Sequence, residues 1–235
     1  MATPSVCLIG NSFLGAVRKA YESRPATGDY EFAFFAHVSP QIEQVGFDDH
    51  FIVNTPYNSG QSNDVRDYDY FVIYCDAPTL TDCGSFDRNL RGTYSENVRT
   101  ASFDGWINQC HAVRILRALR AIADKPIFLL SRNINRRDNV GLRADNDVGL
   151  ALIQSFISPS EYIQFPDTLL AEDGHPDAAY YQGSLNVVGE EPDREIQPLH
   201  HYGHLNAAGG ARMLGQIVAS LDAYRSRSLI KESVE

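Results

Sequence analysis

The stretch VCLIGNSFLGAVRKAY, residues 6–21, decides the fold. Residues 6–9 are an apolar run and Gly10-Asn11-Ser12 breaks it. Leu14, Val17, Ala20 and Tyr21 then recur three and four apart, the spacing of one helical face. The order predicted is strand, tight turn, helix. Working outward, residues 30–36 (YEFAFFA) and 51–53 (FIV) are short aromatic and β-branched runs that suit strands. The polar stretch 54–69 reads as a loop. Residues 70–75 (YFVIYC) form a near-continuous apolar run, the mark of a strand buried on both faces of a parallel sheet.

The clearest helical pattern covers residues 103–123. Phe103, Trp106, Ile107, Cys110, Val113, Leu116 and Leu119 make one stripe, with Arg114, Arg117 and Arg120 off it. Residues 127–130 (IFLL) supply the next strand. Val148, Ala151, Leu152 and Phe156 mark a further helix that ends at Ser158-Pro159, and residues 162–165 suit a last short strand. A long loop region, 166–203, precedes a closing helix over 206–224, with Ala207, Leu214, Ile217, Val218 and Leu221 facing inward. Alternating strands and helices predict an α/β fold with a doubly wound, mainly parallel sheet, in one domain spanning 1–235. Ligands of such sheets sit at the carboxyl ends of the strands. Gly10-Asn11-Ser12, Asp76 and Arg132-Asn133 fall there.

Composition narrows the function classes. Of 235 residues, 20 are Lys or Arg and 30 are Asp or Glu, a net charge of −10. That balance disfavours nucleic-acid and anionic-membrane partners, which are held by clustered Lys and Arg. No apolar run reaches the ~20 residues of a membrane helix, and the first ten residues lack the basic start of a signal peptide. A cytoplasmic location is the expectation. Cys7, Cys75, Cys83 and Cys110 are scattered, without zinc spacing, and read as apolar fillers.

Ser12 stands where a strand turns into a helix. A serine there is a preferred helix N-cap, which needs no chemistry. The same place exposes a hydroxyl above the sheet beside free backbone N–H groups, which can hold a developing oxyanion. A serine hydroxyl attacks only when an adjacent base takes its proton. Near the other end of the chain, HHYGHLNAAGGARMLGQIV carries His204 into the last helix. Gly10-Asn11-Ser12 and His204-Leu205-Asn206 followed by Gly209 together resemble the SGNH (GDSL-like) hydrolase superfamily. That family has G-[DN]-S after its first strand and D-x-x-H-x-N-x-x-G before its last helix.

The resemblance implies a three-layer sandwich, Ser12 as nucleophile and His204 as base, with no cofactor. It also implies backbone N–H donors to the oxyanion at Ser12 and at Gly60, a match by position only. Two positions depart from the pattern. His201 stands where the family places its aspartate, and a protonated imidazole there would oppose a second imidazolium. Either Ser12 and His204 form a dyad, with a backbone carbonyl orienting the ring and His201 orienting or tuning it, or an acid comes from Asp173, Asp177, Asp193 or Glu195. Asp76 stands near the place of the family's oxyanion asparagine, where an ionised carboxylate would repel an oxyanion.

Other readings are weaker. His200, His201 and His204 have i, i+4 spacing, but Pro198 and Gly203 oppose a helix there, so no metal is expected. Arg132, Arg136 and Arg137 suit a solvated loop better than an anion site. Gly10-Asn11-Ser12 is not GxGxxG, since Ser12 stands where the second glycine is required, and not GxSxG, since Leu14 stands at its last glycine. The function expected is a serine esterase or deacylase on a small or carbohydrate O-acyl ester. An O-acyltransferase to a sugar and a noncatalytic ligand-binding module on the same fold are the alternatives.

Overall fold

The structure is a computed structural model that describes residues 2–24, 29–37, 41–59, 62–132, 143–172, 176–181 and 204–232. Strand β1 (Ser5–Gly10) leads into α1 (Leu14–Glu22), as the opening stretch predicts. Then come β2 (Glu31–Ala36), the hairpin β3 (Gly46–Asp48) and β4 (Phe51–Val53), β5 (Tyr57–Asn58) and β6 (Tyr70–Tyr74). The second half contains α2 (Leu80–Leu90), α3 (Glu96–Ile107), α4 (His111–Ile122), β7 (Ile127–Leu130), α5 (Arg143–Ile157) and β8 (Glu161–Ile163). It closes with the short α6 (Ala178–Tyr181) and the long α7 (Ala207–Glu232).

Six strands make one sheet in the order β5-β2-β1-β6-β7-β8, parallel except for the edge strand β5. Every residue of β1 from Val6 to Ile9 is fully buried, because both faces of the sheet are covered. Side chains alternate between the faces with the strand period of two. Val6, Leu8, Phe34, Val72 and Tyr74 join Leu14 and Val17 of α1 and Leu214 and Ile217 of α7. Cys7, Ile9, Phe35, Phe71 and Ile73 join residues of α2, α3, α4 and α5. The result is the α/β sandwich expected, with α1 and α7 on one face and α2 to α5 on the other.

Four local expectations need correction. The apolar stripe of 103–123 is two helices, α3 and α4, broken at Asn108-Gln109-Cys110. The cause lies far away in sequence: the Asp76 carboxylate accepts from the N–H groups of His111 (3.0 Å) and Ala112 (2.8 Å) and so starts a new helix. Residues 51–53 form a strand, but in the separate β3–β4 hairpin and outside the main sheet. Residues 54–69 are not all loop, since β5 pairs with β2 through Phe35–Asn58 and Ala36–Tyr57. Ala207 is exposed on the first turn of α7, while Leu214, Ile217 and Leu221 are buried. Helix α2 has no counterpart in the sequence reading, although Thr79-Leu80-Thr81-Asp82 forms a complete capping box.

Two glycines set how closely the layers approach at the serine. A Cβ on Gly10 would stand 2.0 Å from the Tyr74 carbonyl oxygen, so only glycine lets β1 end against β6 there. A Cβ on Gly210 would stand 2.0 Å from the Ala16 carbonyl oxygen. That close approach sets the start of α7 against the start of α1. No helix among the described residues is long and apolar enough to cross a membrane.

Candidate active site

Ser12 lies in the tight turn after β1, and the turn is held by its own backbone. Leu14 N–H donates to the Asn11 carbonyl (3.0 Å) and Gly15 N–H to the Ser12 carbonyl (3.2 Å). The buried Asn11 side chain folds back so that its Oδ1 accepts from Phe13 N–H at 3.0 Å. Three of the four N–H groups from Ser12 to Gly15 are thereby engaged. The Ser12 N–H has no hydrogen-bond acceptor among the described residues. The donors that the sequence reading offers to an oxyanion therefore narrow, within this turn, to that one.

The hydroxyl is not a helix cap. Phe13 occupies the N-cap position of α1, and no side chain caps that helix. Ser12 Oγ instead stands 2.6 Å from His204 Nε2, across 192 residues of sequence. The serine is only 7% exposed, so the bond is sheltered from competing water. The His204 ring rests edge-on against Phe13, with centroids 5.4 Å apart, and Phe13 in turn packs on Tyr74 at 5.7 Å. Nothing local in the sequence sets this aromatic wall apart. Its sequence signal, a large apolar residue directly after the serine, is indistinguishable from an ordinary core position.

The residues after His204 explain why it reaches the serine. Leu205 is buried in the core shared with α1. Asn206 caps α7: its Oδ1 accepts from Gly209 N–H at 3.0 Å, and its Nδ2 donates to the Ala179 carbonyl at 2.8 Å. The Asn206 N–H donates to the Tyr180 carbonyl, also at 2.8 Å, so α6 and α7 are tied by backbone and side chain together. Gly209 and Gly210 pack against the Tyr180 and Ala16 carbonyls. In the HLNxxG segment, Leu205, Asn206 and Gly209 build a framework, and the histidine is what this framework presents to Ser12.

The remaining predicted residues separate clearly. Gly10 serves the close strand contact described above, and Asn11 shapes the turn. Asp76 is not poised as a free oxyanion donor. Both of its oxygens accept from the first N–H groups of α4, and His111 Nδ1 lies 3.1 Å from Oδ2. Asp177 caps α6 by accepting from Ala179 N–H at 2.9 Å. Arg132 pairs with Asp82 at 3.2 Å, beside the α2 capping box. His201, Gly60, Asp173, Asp193, Glu195, His200, Asn133, Arg136 and Arg137 lie outside the described residues. The four cysteines are free. Burial pushes the Cys7 and Cys75 thiols well up, in keeping with inert fillers.

No protein-family model matches the chain, and no curated protein matches it. Several solved structures are similar to it, among them the following two. One is the lipase Lip_vut3 from a goat rumen metagenome, at 12% identity and a TM-score of 0.44, covering 92% of this chain and 97% of that one. The other is a carbohydrate esterase family 2 enzyme with its carbohydrate-binding domain, from Corynascus thermopiles (Myceliophthora fergusii). It shows 12% identity and a TM-score of 0.43, covering 94% of this chain and 66% of that one.

Proposed function

We propose that this chain is a serine esterase or deacylase of the SGNH kind, one catalytic domain acting on a small or carbohydrate O-acyl ester. The observation that carries the reading is the 2.6 Å contact between Ser12 Oγ and His204 Nε2. With the ring proton on Nδ1, Nε2 accepts the hydroxyl proton as Oγ attacks the ester carbonyl. The Ser12 N–H, and that of Gly60, receive the oxyanion. The imidazolium then returns its proton to the leaving alcohol, which departs as the acyl–serine bond is kept. Water, deprotonated by His204, releases the acid and restores Oγ–H. Engagement of the Phe13 N–H by Asn11 supports Ser12 as the donor within the turn.

Asp76 is left out of the catalytic set in this reading, because its carboxylate is occupied by α4. His201 tunes His204 from three residues before it. His201→Asp supplies the carboxylate that the resembled family has at this position, which would fix the ring tautomer and stabilise the imidazolium. Turnover of an activated acetyl ester should rise about tenfold, or ~1.4 kcal/mol at the transition state. The same assay with and without a sugar acceptor separates hydrolysis from transfer: free acid in both conditions supports the hydrolase, and acylated sugar supports a transferase. Undiminished ester turnover by folded Ser12→Ala would refute the assignment.

A further inference from the structure

When His204 takes the Ser12 proton it becomes a cation in a partly buried place, and burial opposes that charge unless a neighbour favours it. The resembled family has an aspartate three residues earlier, where this chain has His201. What the structure sets against the ring is Phe13, with centroids 5.4 Å apart and planes at 64°. Nε2 is the atom that reaches Ser12 Oγ, so the Nε2 edge of the imidazole is turned toward the turn that carries Phe13. An aromatic face is negative and an imidazole edge positive, the more so once the ring is protonated. The separation lies inside the ~6 Å within which a cation is held over an aromatic face. Phe13 is fixed from two sides. Its N–H donates to Asn11 Oδ1 at 3.0 Å, and its ring packs on the fully buried Tyr74 at 5.7 Å.

We infer that the face of Phe13 stabilises the His204 imidazolium, a cation–π contact that replaces part of what a carboxylate at position 201 would supply. Phe13 is thus a positioning residue that acts through His204, and its part in turnover rests on the esterase reading. The elements packed here also carry Arg18 and Glu22 on α1, paired at 2.7 Å, Asp177 at the cap of α6, Tyr180 and Tyr181 on α6 and, by sequence, His201. None of these changes in a Phe13 variant, so their fields cancel in the comparison. The experiment follows the His204 imidazole by NMR as the full chain is titrated, with the signal assigned by its loss in His204→Gln. Fluorophosphonate labelling of Ser12 is timed over the same pH range. A π face favours the charged ring, so its loss lowers the His204 midpoint. Phe13→Leu, apolar but without a π face, should lower the midpoint by about half a pH unit or more and slow labelling at least about threefold. Phe13→Tyr keeps the face and should retain both wild-type values. Mono-, di- and trifluorophenylalanine at position 13 keep the shape while drawing density from the face, and should lower the midpoint stepwise. The inference is overturned by a midpoint that stays or rises in folded Phe13→Leu or across the fluorinated series. It is equally overturned by Phe13→Tyr following Phe13→Leu, or by slowed labelling with an unmoved midpoint, the mark of a merely steric role. A midpoint that falls as expected in a chain whose Ser12 takes no label upholds the contact and refutes the esterase reading alone.

Discussion

Two histidines near the carboxyl edge of the sheet meet oxygen-bearing side chains, one on each face. On the α1–α7 face, His204 Nε2 lies 2.6 Å from a hydroxyl. On the α2–α5 face, His111 Nδ1 lies 3.1 Å from the Asp76 carboxylate. The distances are similar, but the surroundings are not. Asp76 receives two backbone N–H groups and opens α4, so its charge is committed to a helix end, where it is favoured. Ser12 caps nothing, and the side-chain partner its hydroxyl has is the imidazole. A polar pair at the expected edge is therefore not enough to mark a site. What separates the two is whether the oxygen already has a structural duty.

The sharpest way to break this comparison is to delete both oxygens in turn. Ser12→Ala should lower ester turnover by about a thousandfold or more while leaving the unfolding midpoint near that of the wild type. Asp76→Ala should do the reverse: it should retain most turnover and lose about 1–2 kcal/mol of stability, the usual cost of an emptied helix cap. Urea unfolding and an ester assay on the same preparations read both effects. A large activity loss in folded Asp76→Ala would show that the carboxylate acts on the substrate after all.

A smaller effect should come from the packing that holds His204 in place. Gly210→Ala puts a methyl group 2.0 Å from the Ala16 carbonyl, so α7 must shift away from α1. We expect a loss of about 1–3 kcal/mol, as for other overpacked positions. Ester turnover should fall further than the unfolded fraction explains, because the shift carries His204 from Ser12. Parallel measurement of the fraction folded and of the rate distinguishes the two, and a rate loss equal to the unfolded fraction would contradict the positioning role.

The smallest effect tests the other pair. Cys110, at the N-cap of α4, has its thiol pushed up to about 11, first by burial and then by the charges of Asp76 and Asp82, with Arg132 opposing them. Since the thiolate is the reactive form, alkylation by iodoacetamide should be slow at neutral pH and rise toward pH 11. Asp76→Asn removes one raising charge while keeping an acceptor for α4. The alkylation midpoint should move down, and an unmoved midpoint would mean that the Asp76 charge does not act on the thiol.

Much of this fold is legible in the sequence because buried parallel strands write themselves as unbroken apolar runs. β1, β6 and β7 are such runs, and α7 follows a clear helical period. The break after β1 marks Ser12 and the start of α7 marks His204, and it is the resemblance of the GNS and HLNxxG blocks to one family that pairs them. What was not legible depends on contacts remote in sequence. The interruption between α3 and α4 is made by Asp76, 35 residues before His111. β5 is two residues long and exists as a strand through β2. α2 carries a weak apolar pattern that its capping box alone announces. The Phe13–His204 contact and the engaged Asp76 carboxylate likewise belong to the tertiary structure, so no local pattern separates Ser12 and His204 from polar residues with a structural duty.

The most direct test of the central claim is covalent labelling. The full chain is incubated with a fluorophosphonate probe, and the adduct is located by peptide mass spectrometry in wild type, Ser12→Ala and His204→Ala. The account predicts a single adduct on Ser12, absent from Ser12→Ala and formed far more slowly in folded His204→Ala. Absence of any adduct in the folded wild type, or an adduct on a different residue, would contradict it.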